Sequence, residues 1–191
     1  MRTIILTAAL LSSCASAPPA LPHDAFFANL ATLCGNAYAG RVVTDDAADS
    51  AFANEALVMH VRECSDETIR IPFHVGENRS RTWVITRTEA GLRLKHDHRH
   101  EDGSEDVLTQ YGGDTAGEGD PMRQDFPADE FSKTLFRANS IPASVENIWA
   151  VEVRPGRQFA YELRRPNRHF RVEFDLTAPI PPPPPPWGAE P

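Results

Sequence analysis

Residues 169–176 read His-Phe-Arg-Val-Glu-Phe-Asp-Leu, an uninterrupted alternation of polar and apolar side chains. Successive side chains of a strand point to opposite faces of a sheet, so Phe170, Val172, Phe174 and Leu176 share one face. An apolar face opposite a charged one is typical of an antiparallel sheet with one side on a core. This stretch therefore predicts a mainly β fold.

The same alternation extends outward along the chain. Two short helices interrupt it, one capped by Asp24 and stopped by Gly35, and one over residues 128–137. Loops are expected at residues 45–54 and 112–121. The other strands are predicted at residues 38–44, 57–63, 69–75, 81–88, 92–100, 107–111, 122–126, 148–153 and 158–163. Short strands with tight turns predict an antiparallel sheet that closes into a barrel or folds into a sandwich.

The beginning of this domain resembles a known family. An N-terminal helix leads into Cys34-Gly-Asn-Ala-Tyr-Ala-Gly40, followed by a strand meander, and this pattern resembles lipocalin-like (calycin) β-barrels. The resemblance implies an antiparallel meander that closes into a calycin-like β-barrel, to which the two short helices predicted above are added. It also implies that the mouth of the barrel holds a small apolar ligand.

The N-terminus is predicted to be an export signal. Arg2 precedes the short apolar stretch of residues 3–11, as in secretory signal peptides. Leu11-Ser-Ser-Cys14 resembles the bacterial lipoprotein box, which implies cleavage before Cys14 and its lipidation, and Ala15 implies sorting to the outer membrane, facing the periplasm. The alternative is cleavage after Ala17, which would give a soluble secreted or periplasmic protein.

Composition divides the chain into four parts. Of the 17 prolines, eleven lie in the two termini, so the compact part is short of proline. The expected parts are a signal peptide (1–13), a lipidated tether (14–23), a β-barrel domain (24–177) and a polyproline tail (178–191). The tail is either a solvated spacer or a docking segment for an envelope protein.

The formal charge of −8 argues against nucleic acid as a partner, and the lipid anchor is the expected contact with the membrane.

Three cysteines fit this organisation. If Cys14 carries lipid, Cys34 and Cys64 remain in an exported, oxidising compartment. Their pairing would close a loop around the first strands and stabilise the fold by about 3 kcal/mol. The sequence predicts this disulfide, with two unpaired buried thiols as the alternative.

The candidate metal ligands are His96, His98 and His100, which alternate within the predicted strand 92–100. On a strand they share a face with Leu92 and Leu94, and neighbouring imidazoles of this kind can bind zinc or iron. Two other interpretations remain open. The histidines are solvated and paired with nearby carboxylates, or they are buried and hydrogen-bonded without a metal.

Aromatic and basic residues supply the other candidate sites. Trp83, Trp149 and Tyr111 are candidate ligand-binding residues, with core packing as the alternative for the two tryptophans. The arginines at positions 164, 165, 168 and 171 cluster at the final hairpin. Guanidinium groups suit recognition of carboxylate or phosphate, but they also balance an acidic surface.

No nucleophile motif accompanies these residues: the sequence has no Gly-x-Ser-x-Gly, no HExxH and no CxxC. We therefore expect a lipid-anchored envelope protein whose barrel binds a small apolar ligand without catalysis. One alternative is a metal-binding protein or metal-dependent enzyme that uses the histidine cluster. Another is a structural or interaction lipoprotein with a solid barrel.

Overall fold

The computed structural model describes residues 21–189. The predicted signal peptide, the lipid site at Cys14 and most of the tether lie outside this range. No helix in the described part is long and apolar enough to cross a membrane. The chain folds into an antiparallel, nearly closed β-barrel with three short helices, which confirms the predicted fold class and decides between barrel and sandwich.

The elements follow a meander. The strands are β1 (Ala37–Val42), β2 (Leu57–His60), β3 (Glu63–Cys64), β4 (Thr68–Val75), β5 (Asn78–Thr88), β6 (Gly91–His98), β7 (Tyr111–Asp114), β8 (Arg123–Pro127), β9 (Ile148–Arg154), β10 (Gln158–Arg165) and β11 (Arg168–Ile180). The helices are α1 (Pro22–Ala31), α2 (Ser50–Ala53) and α3 (Glu130–Ala138). The neighbours run β7-β6-β5-β4-β2-β1-β11-β10-β9-β8, with the short β3 paired to β4 off this path.

β11 occupies the centre of this order, between β1 and β10. Val172 pairs with Val42 on one side and with Tyr161 on the other, so the strand is hydrogen-bonded along both edges. Its alternating side chains Phe170, Val172, Phe174 and Leu176 are all buried, as the sequence predicts. They join one continuous hydrophobic core inside the barrel.

The strand boundaries differ from the prediction most clearly around β7. The sequence predicts a strand at residues 107–111 and a loop from residue 112, whereas the strand runs from Tyr111 to Asp114. Gly112 and Gly113 explain the difference, because a Cβ at either residue would overlap the backbone of Leu94 or Pro127. The glycines therefore let β7 pack closely between the two ends of the sheet, and they do not form a flexible loop.

The barrel closes through the start of α3 and not through a continuous ladder. The Asp129 backbone N–H donates to the Gly112 carbonyl at 2.9 Å. The Ser132 hydroxyl accepts the Gly112 N–H at 2.7 Å and also lies 2.7 Å from the Asp129 carboxylate. These bonds connect β7 to the segment that follows β8, so they join the two open edges of the sheet.

α1 covers one end of the barrel. It begins at Pro22, so Asp24 lies in the first turn and is not the cap that the sequence predicts; its carboxylate pairs with Arg87 of β5. Phe26, Phe27 and Leu30 pack into the core. The predicted disulfide joins Cys34, just after this helix, to Cys64 of β3.

Candidate functional site

The candidate site is an aromatic-lined cavity at the barrel end opposite α1. Its volume is about 390 Å³, within the range of about 300–1,000 Å³ of small-molecule sites. Its outer lining comes from α2, the segment after β6, the 3₁₀ turn at residues 142–146 and the ends of β10 and β11 at their turn. Its lining residues are Phe52, Phe73, Arg81, Trp83, His96, His98, Asp106, Leu108, Tyr111, Phe136, Ile141, Ser144, Asn147, Trp149, Tyr161, Leu163, Arg165, Arg168 and Phe170.

All three predicted ligand-binding residues line this one cavity. Trp83 comes from β5, Tyr111 begins β7, and Trp149 lies on β9, so the closure of the barrel brings together residues that are distant in the sequence. Trp83 stacks on Tyr161 with ring centroids 4.4 Å apart, and Tyr111 lies 5.6 Å from Trp149. The result is a rigid aromatic wall.

The structure places His96 deep in this wall. It is fully buried, and its Nδ1 lies 3.0 Å from the Tyr111 carbonyl, which can only accept a hydrogen bond. Nδ1 therefore carries the proton, and Nε2 accepts the Tyr161 hydroxyl at 2.7 Å. Burial lowers the pKa of His96 to about 3, so the ring is neutral at pH 7.

His98 lies nearer to the mouth of the cavity. Its Nε2 is 3.2 Å from the Tyr111 hydroxyl. Burial, followed by the charge of Arg81, lowers the pKa of His98 to about 4, and burial raises the pKa of Tyr111 to about 12. Both groups are therefore neutral at pH 7.

The third histidine does not join the other two. β6 ends at His98, and the His100 side chain is 56% exposed, with its Nε2 3.9 Å from Asp106. Both nitrogens of His96 are already engaged. Within residues 21–189, no group of three or more His, Cys, Asp or Glu side chains lies close enough together to hold a metal ion. The arrangement of His96 matches the interpretation of a buried, hydrogen-bonded histidine.

Three features of the cavity were missed by sequence reasoning. Phe52 reaches it from α2, in a segment that the sequence predicts as a loop. Tyr161 and Arg81 are the other two. Tyr161 lies 65 residues from its hydrogen-bond partner His96 in the sequence, so no local pattern predicts that they meet. The alternation of β5 could have placed Arg81 on the same face as Trp83, because the two residues are separated by two positions.

The predicted arginine cluster divides between the two faces of the barrel. Arg165 and Arg168 line the cavity. Arg164 and Arg171 instead lie on the outer wall, where Arg164 pairs with Asp125 at 2.5 Å and Arg171 pairs with Glu162 at 3.1 Å.

Comparison of the chain with protein-family models, with curated proteins and with solved structures finds no match.

Proposed function

We propose that this chain is a non-catalytic binding protein whose calycin-like barrel holds the apolar body of a small molecule in its open end. The observation that carries the proposal is the cavity of about 390 Å³ among Trp83, Tyr111 and Trp149. A solid barrel would have filled this space with side chains, as the opposite end does with Phe26 and Leu30 of α1.

The electrostatics of the cavity favour binding over catalysis. A general acid or base works best when its pKa lies near the operating pH. His96 and His98 have pKa values of about 3 and about 4, and Tyr111 has a pKa of about 12, so none of the three exchanges protons readily near pH 7. Ser132, which is fully buried beside Gly112, serves barrel closure and lies outside the cavity lining.

The neutral fluorophore N-phenyl-1-naphthylamine tests this proposal. We expect it to bind the purified protein saturably at a ratio of one to one. Ser144 lines the cavity from the 3₁₀ turn, whereas the exposed Ala143 beside it does not. Ser144→Trp should fill the mouth and weaken binding at least tenfold, and Ala143→Trp should leave it unchanged. No saturable binding, or equal binding by the two variants, would contradict the proposal.

Export and lipid anchoring are part of the same proposal and rest on the sequence. Cys14 in its lipoprotein-box context supports an outer-membrane lipoprotein that faces the periplasm. Cells fed a palmitate analogue should label the protein, and Cys14→Ser should abolish the label while a secreted form remains. Labelling of the Cys14→Ser variant would contradict lipidation at this residue.

A further inference from the structure

Arg81 is a cation in the cavity with no anionic partner among the described residues. It lies on β5, two residues from Trp83, and is half-buried. Its Nη1 bonds only neutral groups, Asn78 Oδ1 at 3.1 Å and Ser80 Oγ at 3.2 Å. The guanidinium carbon lies 5.5 Å from the centre of the Phe52 ring, and no carboxylate of residues 21–189 comes within ion-pair distance of it.

Arg165 is the second such cation at the mouth. Its Nη1 donates to Asn147 Oδ1 at 3.0 Å, and the part of the chain that the structure describes offers it no ion pair. Arg168, the third arginine of the lining, is different, because it pairs with Asp46 and with the buried Asp49. Two guanidinium groups thus remain unneutralised in a chain with a formal charge of −8.

Asp106 is the single carboxylate among the lining residues. One of its oxygens accepts the Leu108 backbone N–H at 2.7 Å, and the other lies 3.9 Å from His100 Nε2. Asp106 is therefore held by its own loop, at more than ion-pair distance from both unpaired arginines, and its charge acts on Arg81 only across that longer distance. Asp46 and Asp49 offset Arg168, and His96 and His98 are neutral, so Arg81 and Arg165 are the two guanidinium groups of the lining that have no carboxylate partner among the described residues.

We propose that the mouth of the cavity is a subsite for one anionic group, and that the ligand is an apolar molecule carrying a single carboxylate, sulfonate or phosphate. Guanidinium groups that are partly removed from water form strong, charge-assisted bonds to such oxyanions. The aromatic wall contacts the apolar body, and Arg81 and Arg165 meet the charge at the opening. This inference rests on the proposed binding function.

Two fluorophores that differ in one group test the inference. 1-Anilinonaphthalene-8-sulfonate carries the ring system of N-phenyl-1-naphthylamine plus one sulfonate. We expect the purified protein to bind the sulfonate at least tenfold more tightly than the neutral probe. Arg81→Gln should weaken sulfonate binding about tenfold and change binding of the neutral probe less than twofold.

Arg157→Gln is the matched control, since Arg157 is exposed in the β9–β10 turn, at the opposite end of β10 from Arg165. It should leave both affinities unchanged.

Asp106→Asn should strengthen sulfonate binding about threefold, because it removes the one negative charge of the lining. Near-ultraviolet circular dichroism checks folding, and Arg165→Gln replaces the Arg81 variant if that variant does not fold.

The outcomes separate this inference from the proposed function. Neutral-probe binding with no preference for the sulfonate, or a preference that survives Arg81→Gln and Arg165→Gln, overturns the anionic subsite and leaves the binding cavity intact. Failure of both probes to bind overturns both proposals.

Discussion

Glu162 shows how single ionic side chains stabilise the outer wall of the barrel. Its carboxylate is 10% exposed and meets Arg123 at 2.9 Å and Arg171 at 3.1 Å. Burial alone would raise the pKa of Glu162, but these arginines outweigh burial and lower it to about 2. The charged form is therefore favoured by the folded state.

Replacing Glu162 by Gln should make the stability of the protein less dependent on pH. A pKa below the ordinary 4.5 means that the stabilisation is complete above about pH 4.5 and is lost as the pH falls toward 2. Glu162→Gln should lower the free energy of unfolding by about 2 kcal/mol at pH 7, because it removes the buried carboxylate that the half-buried Arg123 and Arg171 share. Urea denaturation at pH 7 and pH 3 measures this, and the gap between the two proteins should shrink at pH 3.

The exposed Glu146 provides the control for that measurement. Glu146→Gln should follow the native protein at both pH values. A gap between Glu162→Gln and the native protein that is as large at pH 3 as at pH 7 would contradict the assigned role of the charge.

The rim segment at residues 45–54 acts as one element above the cavity. Asp49 is 1% exposed and pairs with Arg168, and it also accepts the Thr44 hydroxyl at 2.9 Å. Phe52 of α2, from the same segment, packs on Phe170 with ring centroids 5.2 Å apart. The ion pair therefore holds an aromatic side chain over the mouth.

Asp49→Ala should release this segment. Loss of a buried ion-pair partner leaves the Arg168 guanidinium, whose side chain is 16% exposed, without one of its two carboxylates, at a cost of about 3 kcal/mol. Hydrogen exchange should accelerate at residues 46–54 while β9 and β10 stay protected. Asp45→Ala, at an exposed neighbour, is the control, and unchanged exchange in the Asp49 variant would contradict the role of the ion pair.

At the level of elements, the sequence predicts strands well where one face is buried. Residues 169–176 lie inside β11, as predicted, because the alternation of apolar and polar residues indicates which face of the strand is buried. Residues 45–54 fold into short helical turns, which their small and acidic composition does not distinguish from a loop. Gly112 and Gly113 of β7 favour the prediction of a flexible loop, although close packing against Leu94 and Pro127 requires them.

At the scale of the whole molecule, the C-terminal tail packs against the chain's own barrel. The Trp187 backbone N–H donates to the Arg79 carbonyl at 3.1 Å, and Arg79 Nη1 donates to the Pro185 carbonyl at 2.9 Å. Gly188 approaches Gly103, in the segment after β6. The tail thus connects β5 to the loop that also carries Asp106.

Trp187→Ala should destabilise the whole protein. The indole covers the outer wall beside Asp97 and Arg99, so its removal should cost about 2 kcal/mol and lower the melting temperature by several degrees. Thermal unfolding followed by circular dichroism measures the change. Pro182→Ala, at an exposed tail position, should have no effect. Equal melting temperatures for the native and Trp187→Ala proteins would show that the tail contributes nothing to stability.

The candidate site was predictable only in part. Alternation correctly placed His96 and His98 on one face, and Trp83, Trp149 and Tyr111 could be named for their chemistry. Their meeting in one cavity depends on barrel closure, and the His96–Tyr161 bond joins strands that are far apart in the sequence. Whether an arginine faces a carboxylate or an open cavity is likewise set by strand register, as the contrast between Arg171 and Arg81 shows.

The three tryptophans offer the most direct test that the barrel end is a binding site. Trp83 and Trp149 line the cavity, whereas Trp187 lies on the outer wall. In a proton–nitrogen NMR titration with N-phenyl-1-naphthylamine, the indole signals of Trp83 and Trp149 should shift together and saturate at one equivalent, while that of Trp187 stays in place. Unmoved Trp83 and Trp149 signals, or three signals that drift together without saturating, would contradict a ligand site inside the barrel.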